Sequence, residues 1–491
     1  RWGMKKLLSL LAVLLLVSSL AAQEKENCFT VAVGKRVTQD GSVLLAHNED
    51  DPGDYLLNLR RIPSRTLEES DEPFLEKGPL AGRTTLQEVL WFEVPEIDFA
   101  DSFVNEKGVV VVSNACPSRE DREDVTDGGV GYLLRRLVIE RARSSREAAE
   151  TAGKLIEAFG YTSSGRTYTF ADKNEAWILA VVKGRRWVAQ RVPDDGVVVV
   201  PNHYVHREVN LEDKANFMGS PDLISYARER GWYDPDRDGA FDFSRAYGQP
   251  SPKDFSVNTL RRWRGVSLIT GKSWDEKGSF PFSVKPGKPL KIEDLTSLLR
   301  DHYEGTNYDE SDGYKRGNPN TTAQRTICTA STKYALVAHL REDLPEGTGS
   351  LLWLAPGRPD SAFFLPVWFG APLPEGVGVG GEGTANSYEE LLKQHFDGSE
   401  ILRERHTLAW ALQRRWERYL DKAYGERILP FRGLAGEWEG ALMRLRSDVE
   451  KASWDLCKQD PPAARFLLGI FMEGILQSWQ TKMEGLLTRE E

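Results

Sequence analysis

The spacing of apolar residues changes period several times along the chain. Phe29–Val33 and residues 43–46 are apolar runs separated by the turn dipeptide Asp40-Gly41, which predicts a β-hairpin across 29–46. The β-branched run 109–112 predicts a buried strand. A period near 3.6 then takes over. Leu133, Leu134, Leu137, Val138 and Ala142 predict a helix over 130–143. A second helix is predicted from Ser144, with Glu147 three residues on in capping-box spacing, through Phe159 to a stop at Gly160.

Strands are predicted again at 167–171, 176–182, 186–192 and 197–200, separated by Asp-, Asn-, Pro- and Gly-rich breaks. Residues 205–320 show few clean periods and predict long ordered loops with short elements. Strands resume near 326–340, 349–354 and 361–366. The glycine-dense stretch 371–386 reads as a linker, and 387–491 as a charged helical region. The class is α+β, with antiparallel sheets layered against helices.

The N-terminus has a different pattern. Met4-Lys5-Lys6, an apolar run over 7–17 and the small residues up to Ala22 have the three parts of a secretory signal peptide, expected to span 1–22. The run is too short to span a bilayer. The expected location is secreted or periplasmic, with no membrane attachment after signal removal. A net charge of −10 argues against nucleic-acid binding. Arg135-Arg136 and Glu140-Arg141 read as a solvated, charge-mixed surface.

Four cysteines, Cys28, Cys116, Cys328 and Cys457, allow two disulfides in an exported chain, although four is sparse for 491 residues. No CxxC or HExxH spacing exists, so no zinc site is expected. The loop 234–242 resembles the start of a calcium loop, but Arg245 stands where a bidentate Glu belongs, and it reads as a polar turn.

Cys28 lies a few residues past the expected signal cleavage, directly before a strand. Lys25-Glu26-Asn27 is too polar for a lipoprotein signal. A cut before Cys28, removing 23–27 as a short propeptide, leaves a thiol beside a free α-amine. With pKa values of about 8 and 8.5 the amine can take the thiol proton at neutral pH.

Cys28-Phe29-Thr30-Val31-Ala32-Val33-Gly34, Asp40-Gly41-Ser42 and Ala46-His47-Asn48-Glu49-Asp50 resemble the start of the cysteine dipeptidases related to secernins, within the N-terminal-nucleophile hydrolases. Asn105-Glu106-Lys107-Gly108, Asp127-Gly128-Gly129, Arg191-Val192-Pro193-Asp194-Asp195, Pro201-Asn202 and Asn258-Thr259-Leu260-Arg261 extend the resemblance to about residue 370.

The resemblance implies a four-layer αββα domain over 28–370 and hydrolysis of small peptides without metal or organic cofactor. It implies Cys28 as nucleophile, Asp50 as partner of its α-amine, Asn202 as oxyanion donor with Asn114 as a second, and Arg261 near the site. His47 departs from the pattern, standing where many relatives carry Arg. An acylase acting on a non-peptide amide, or an inactive secreted binding protein, are the alternative readings. Homo-oligomerisation is left open.

Overall fold

The computed structural model describes residues 28–67, 73–250, 257–379, 387–397 and 405–488. Two antiparallel sheets lie face to face. The six-stranded sheet runs in the order β12 (Val197–Val200), β1 (Phe29–Val33), β2 (Val43–Asp50), β14 (Thr332–Leu340), β15 (Ser350–Ala355) and β16 (Leu365–Trp368). The eight-stranded sheet runs β13 (Phe217–Gly219), β11 (Trp187–Arg191), β10 (Ala176–Gly184), β9 (Tyr161–Ala171), β8 (Val110–Ala115), β7 (Ser102–Asn105), β6 (Val89–Glu93) and β3 (Asn58–Ile62). A two-stranded ribbon, β4 (Arg65–Thr66) and β5 (Thr85–Leu86), stands apart.

Alternation along β8 builds two cores from one strand. Val110 and Val112 enter the core shared with the six-stranded sheet, while Val109, just before the strand, and Val111 enter the one beneath the outer helices. Ile178 faces the inter-sheet core, and Trp177, Leu179 and Val181 face the helices. Those helices are α1 (Leu134–Ile139) and α2 (Ser145–Phe159). On the far side, α3 (Val257–Thr270) and α4 (Ile292–Leu299) cover β12, β2 and β14. The result is the αββα sandwich. The hairpin forms as expected, with Thr30 opposite His47 and Val31 opposite Ala46. Because β2 also pairs with β14, all eight of its positions are buried.

The capping of α2 follows its sequence. The Ser144 hydroxyl accepts from the Glu147 N–H, and Gly160 ends the helix at φ 79°. A Cβ at Gly160 would lie 2.0 Å from the Asp124 carbonyl oxygen, so only glycine fits. The helix expected over 130–143 is shorter. Gly128 and Gly129 take positive φ, and Val130 pairs as a bridge with Tyr161, so helical geometry begins only at Leu134.

The charges on this segment are not solvated. Arg135, Arg136, Glu140 and Arg141 are all buried. Arg136 Nε donates to Glu140 at 2.5 Å, Tyr388 Oη donates to the same carboxylate at 2.6 Å, and the Arg136 guanidinium lies 4.9 Å from the Trp91 ring centroid. The Glu140 carboxylate, the Trp91 ring and nearby carbonyls are what let these charges leave water. Residues 205–320 contain two longer helices, α3 and α4, and short helices at Leu223–Glu229, Pro235–Asp238 and Phe243–Tyr247, besides loops. Strand starts shift to 332, 350 and 365 because 326–331 and 359–361 turn instead.

The stretch read as a linker is packed over its first half. Val377 is buried, its carbonyl accepts from the Leu59 N–H at 3.1 Å, and Gly378 presses on the Leu59 carbonyl. Residues 380–386 and residues 1–27, where a signal peptide over 1–22 and a propeptide over 23–27 are expected, lie outside the described residues.

Beyond it, α5 (Tyr388–Phe396), α6 (Trp410–Asp421), α7 (Tyr424–Cys457) and α8 (Pro461–Leu487) follow. Trp410, Leu476 and Trp479 join the main core, and α8 packs on β16. Among the described residues no helix is long and apolar enough to cross a membrane.

Buried ion pairs dock the helical region. Glu450 on α7 accepts from both terminal nitrogens of Arg341 at 2.5 and 2.7 Å and from the Trp368 indole at 2.9 Å. Glu450→Ala strands the Arg341 charge, so we expect a loss of about 3–5 kcal/mol in urea denaturation. The apolar pair Arg341→Met with Glu450→Leu is expected to recover most of that loss.

Candidate active site

One end of the sandwich collects a cluster of buried polar residues. Cys28 precedes β1. His47, Asn48, Glu49 and Asp50 end β2, Asn202 follows β12, Thr332 begins β14, and Asn114 comes from the end of β8 in the other sheet.

From Cys28 a continuous hydrogen-bond chain crosses between the sheets. Cys28 Sγ donates to Glu49 Oε1 at 3.0 Å, and Glu49 Oε2 lies 3.0 Å from His47 Nε2. His47 Nδ1 is 2.8 Å from Thr30 Oγ1, which donates to Asn114 Oδ1 at 2.6 Å. The chain ends where Asn114 Nδ2 donates to the Val200 carbonyl at 3.1 Å. Asn202 returns the link, its Nδ2 donating to the Ala115 carbonyl at 2.9 Å.

Arg261, on α3, donates to Asn202 Oδ1 at 2.9 Å and to Asn258 Oδ1 at 2.5 Å. It reaches them because Gly265, one turn later, lets α3 settle on Phe29 and Val199. A Cβ there would stand 3.0 Å from both side chains. Asp50 Oδ1 accepts from Thr332 Oγ1 at 2.5 Å. Its Oδ2 is buried with no hydrogen-bond partner.

Burial dominates the electrostatics. It pushes the Cys28 thiol well up, and the charges of Glu49, Asp51 and Asp50 push the same way, while the Asp50 N–H opposes them. Glu49 is raised by burial, against the thiol hydrogen bond and the charges of Arg135 and Arg166. Burial lifts Asp50 to about 6, against Thr332 and Arg261. It also holds His47 down at about 3, so the imidazole is neutral and does not replace an arginine charge.

The structure thus brings all six sequence-derived residues, Cys28, His47, Asp50, Asn114, Asn202 and Arg261, into one buried neighbourhood. It adds Thr30, Glu49, Asn258 and Thr332, which sequence reasoning missed. Thr30 and Glu49 were accessible in principle. With Thr30 opposite His47 in the hairpin register, Cys28 and Thr30, and His47 and Glu49, share a face at a period of two. Thr332 needed the long-range pairing of β14 with β2.

All four cysteines are free thiols, so the two-disulfide arrangement does not form. Among the described residues, two groups bring three metal-type donors together: Cys28, His47 and Glu49, and His302, Cys328 and Asp360. The first is the hydrogen-bonded chain itself. In the second, Asp360 Oδ2 accepts from Asn320 and Tyr424 at 2.7 Å each, and Arg358 lies 3.7 Å from Oδ1. The loop 234–242 spends its acids locally: Asp234 caps a helical turn, and Asp238 pairs with Arg237 and accepts from the Asp234 N–H.

The sequence model of peptidase family C69 matches residues 121–373, more than half of the chain. A "Probable dipeptidase" of Salmonella dublin is 28% identical over 383 residues, covering 75% of this chain and 85% of its own. The "Dipeptidase" of Bifidobacterium longum is 27% identical over 375 residues, covering 67% and 68%. Among solved structures, penicillin V acylase from Agrobacterium tumefaciens aligns at TM-score 0.32 and 13% identity, over 70% of this chain and 86% of that one.

A buried carboxyl raised to about 6 from its ordinary 3.8 keeps a proton that the unfolded chain has already released. Stability from this group therefore falls as pH rises from about 4 to 6, and the full cost, about 3 kcal/mol, persists above. In a Cys28→Ala background, Asp50→Asn is expected to raise unfolding free energy at pH 7.5 by up to about 3 kcal/mol and to change it little at pH 4. Urea titrations at the two pH values measure the difference.

Proposed function

This chain belongs to peptidase family C69, and we propose that it is an exported dipeptidase whose nucleophile is Cys28 after removal of everything before it. The observation that carries the reading is Asp50. A carboxylate oxygen held in the interior without a partner, on the residue whose N–H bonds the Cys28 sulfur, is a waiting acceptor for a cation. The α-ammonium created by cleavage before Cys28 supplies one.

With that amine present, the thiol has a base that the precursor lacks. The amine takes the Sγ proton, and the thiolate attacks the scissile carbonyl carbon. The C–S bond forms as the carbonyl π-pair moves onto oxygen. Asn202 has one amide hydrogen on Ala115 and a second left for that oxyanion, while Arg261 fixes its carboxamide from the other side. Asn114 has the same spare hydrogen, and its bonds to Thr30 and Val200 hold the strand ends in place. Collapse of the adduct expels the amine of the C-terminal residue, which takes the proton from the α-ammonium. Water, deprotonated by the α-amine, then cleaves the thioester and restores the thiol.

The relatives' names support small peptides over N-acyl amides as substrates. The leader-like segment up to Ala22 supports a secreted or periplasmic location.

Intact mass and N-terminal sequencing of the exported protein test the scheme. Wild type is expected to begin at Cys28, and Cys28→Ala to retain residues 23–27. Both chains beginning at residue 22 or 23 would rule out the amine as base. Asn202→Ala is expected to mature normally and to lower kcat for dipeptides by about 10²–10³ with little change in KM.

A further inference from the structure

Glu49 is the group closest to the thiol, and the reaction scheme above leaves it without a task. Its Oε1 lies 3.0 Å from Cys28 Sγ, its other oxygen 3.0 Å from a neutral His47, and it is buried. The charge of Asp51 bears on it, and Asp50 is next in sequence. Three acids around a sulfur that must ionise have the wrong sign for a nucleophile acting alone, because each opposes the thiolate. The amine of Cys28 offsets Asp50 and leaves the Glu49–Asp51 pair facing the reaction centre.

Substrate geometry says what answers that pair. In a peptide with a free N-terminus the ammonium nitrogen is bonded to the carbon next to the attacked carbonyl. Once sulfur and carbonyl carbon are joined, standard bond lengths put that nitrogen roughly 3–4 Å from Sγ. An oxygen already 3.0 Å from Sγ is then within hydrogen-bonding reach of it.

We propose that Glu49, supported by Asp51, is the subsite for the substrate's free α-ammonium, so that the enzyme selects peptides with an unblocked N-terminus at the residue whose carbonyl is attacked. This rests on Cys28 as the nucleophile and deepens that reading. The ammonium offsets the charge that opposes thiolate formation, so the correct substrate also eases loss of the thiol proton. A substrate with an uncharged acyl group leaves buried Glu49 without that cation and is rejected.

The test compares Ala-Ala with N-propionyl-alanine, the same molecule with the amine replaced by hydrogen. Wild type is expected to favour Ala-Ala in kcat/KM by at least roughly 100-fold. Glu49→Gln is expected to cut that ratio at least tenfold, through loss on Ala-Ala rather than on propionyl-alanine, while intact mass still shows Cys28 at the N-terminus. Asp51→Asn is expected to narrow the ratio in the same direction by less.

Equal losses on both substrates, or an unchanged ratio, overturn the subsite while leaving the dipeptidase reading standing. A wild type that hydrolyses neither substrate sinks that reading and the subsite with it. Should Glu49→Gln fail to mature, Asp51→Asn decides alone, and an unchanged ratio there counts against the proposal.

Discussion

Two asparagines tie the sheets together where the chemistry sits. Asn114, at the end of β8, donates to the carbonyl of Val200, and Asn202, just past β12, donates to the carbonyl of Ala115. Face-to-face sheets are held mainly by apolar contacts, here joined by a bond from Tyr334 to Ser102, and apolar contacts are strong in sum but do not fix register to a fraction of an ångström. This reciprocal pair does, because a buried carbonyl or carboxamide that loses its partner costs about 1–3 kcal/mol. Thr30 hands the constraint to β1, and His47 and Glu49 hand it on to the Cys28 sulfur. The Cys28 sulfur is therefore positioned by a polar chain anchored in both layers rather than by a loop.

The same end of the molecule concentrates unfavourable electrostatics. Glu49 and Asp50 are buried acids raised by desolvation, and Asp50 keeps an oxygen with no partner. A sandwich with over fifty buried side chains in its main core can carry that burden. Elsewhere its buried charges are answered: Glu140 by Arg136, Arg65 and Tyr388, and Glu450 by Arg341 and Trp368. Beside Cys28 the carboxyls stay raised by burial despite the charges of Arg135 and Arg166 on Glu49 and of Arg261 on Asp50.

The C-terminal helices use paired charge differently. Glu439 accepts from Arg300 at 2.6 and 3.2 Å, and Asp421 accepts from Arg358 at 2.8 and 3.1 Å. Together with Glu450 these contacts set how α6 and α7 seat against the turns and strands behind the six-stranded sheet. Apolar residues such as Trp410 and Trp479 supply the area, and the directional pairs supply the seating.

The sequence by itself determined the elements whose signals are local. The 29–46 hairpin was legible from alternation and Asp40-Gly41, and α2 from Ser144, Glu147 and Gly160, since capping and turn chemistry act within a few residues. The motif resemblance likewise named Cys28, Asp50, Asn202 and Arg261 without coordinates. Only the tertiary structure decided what depends on partners distant in the chain. Arg135 and Arg136 read as solvent-facing because a charge pattern cannot show that Glu140, Trp91 and backbone carbonyls enclose it. Residues 371–379 read as a tether because glycine density does not reveal that Leu59 lies against them. Glu49 became a site residue only when β1 and β2 brought its carboxylate to the Cys28 sulfur, and it took β14 to occupy one oxygen of Asp50 and leave the other bare.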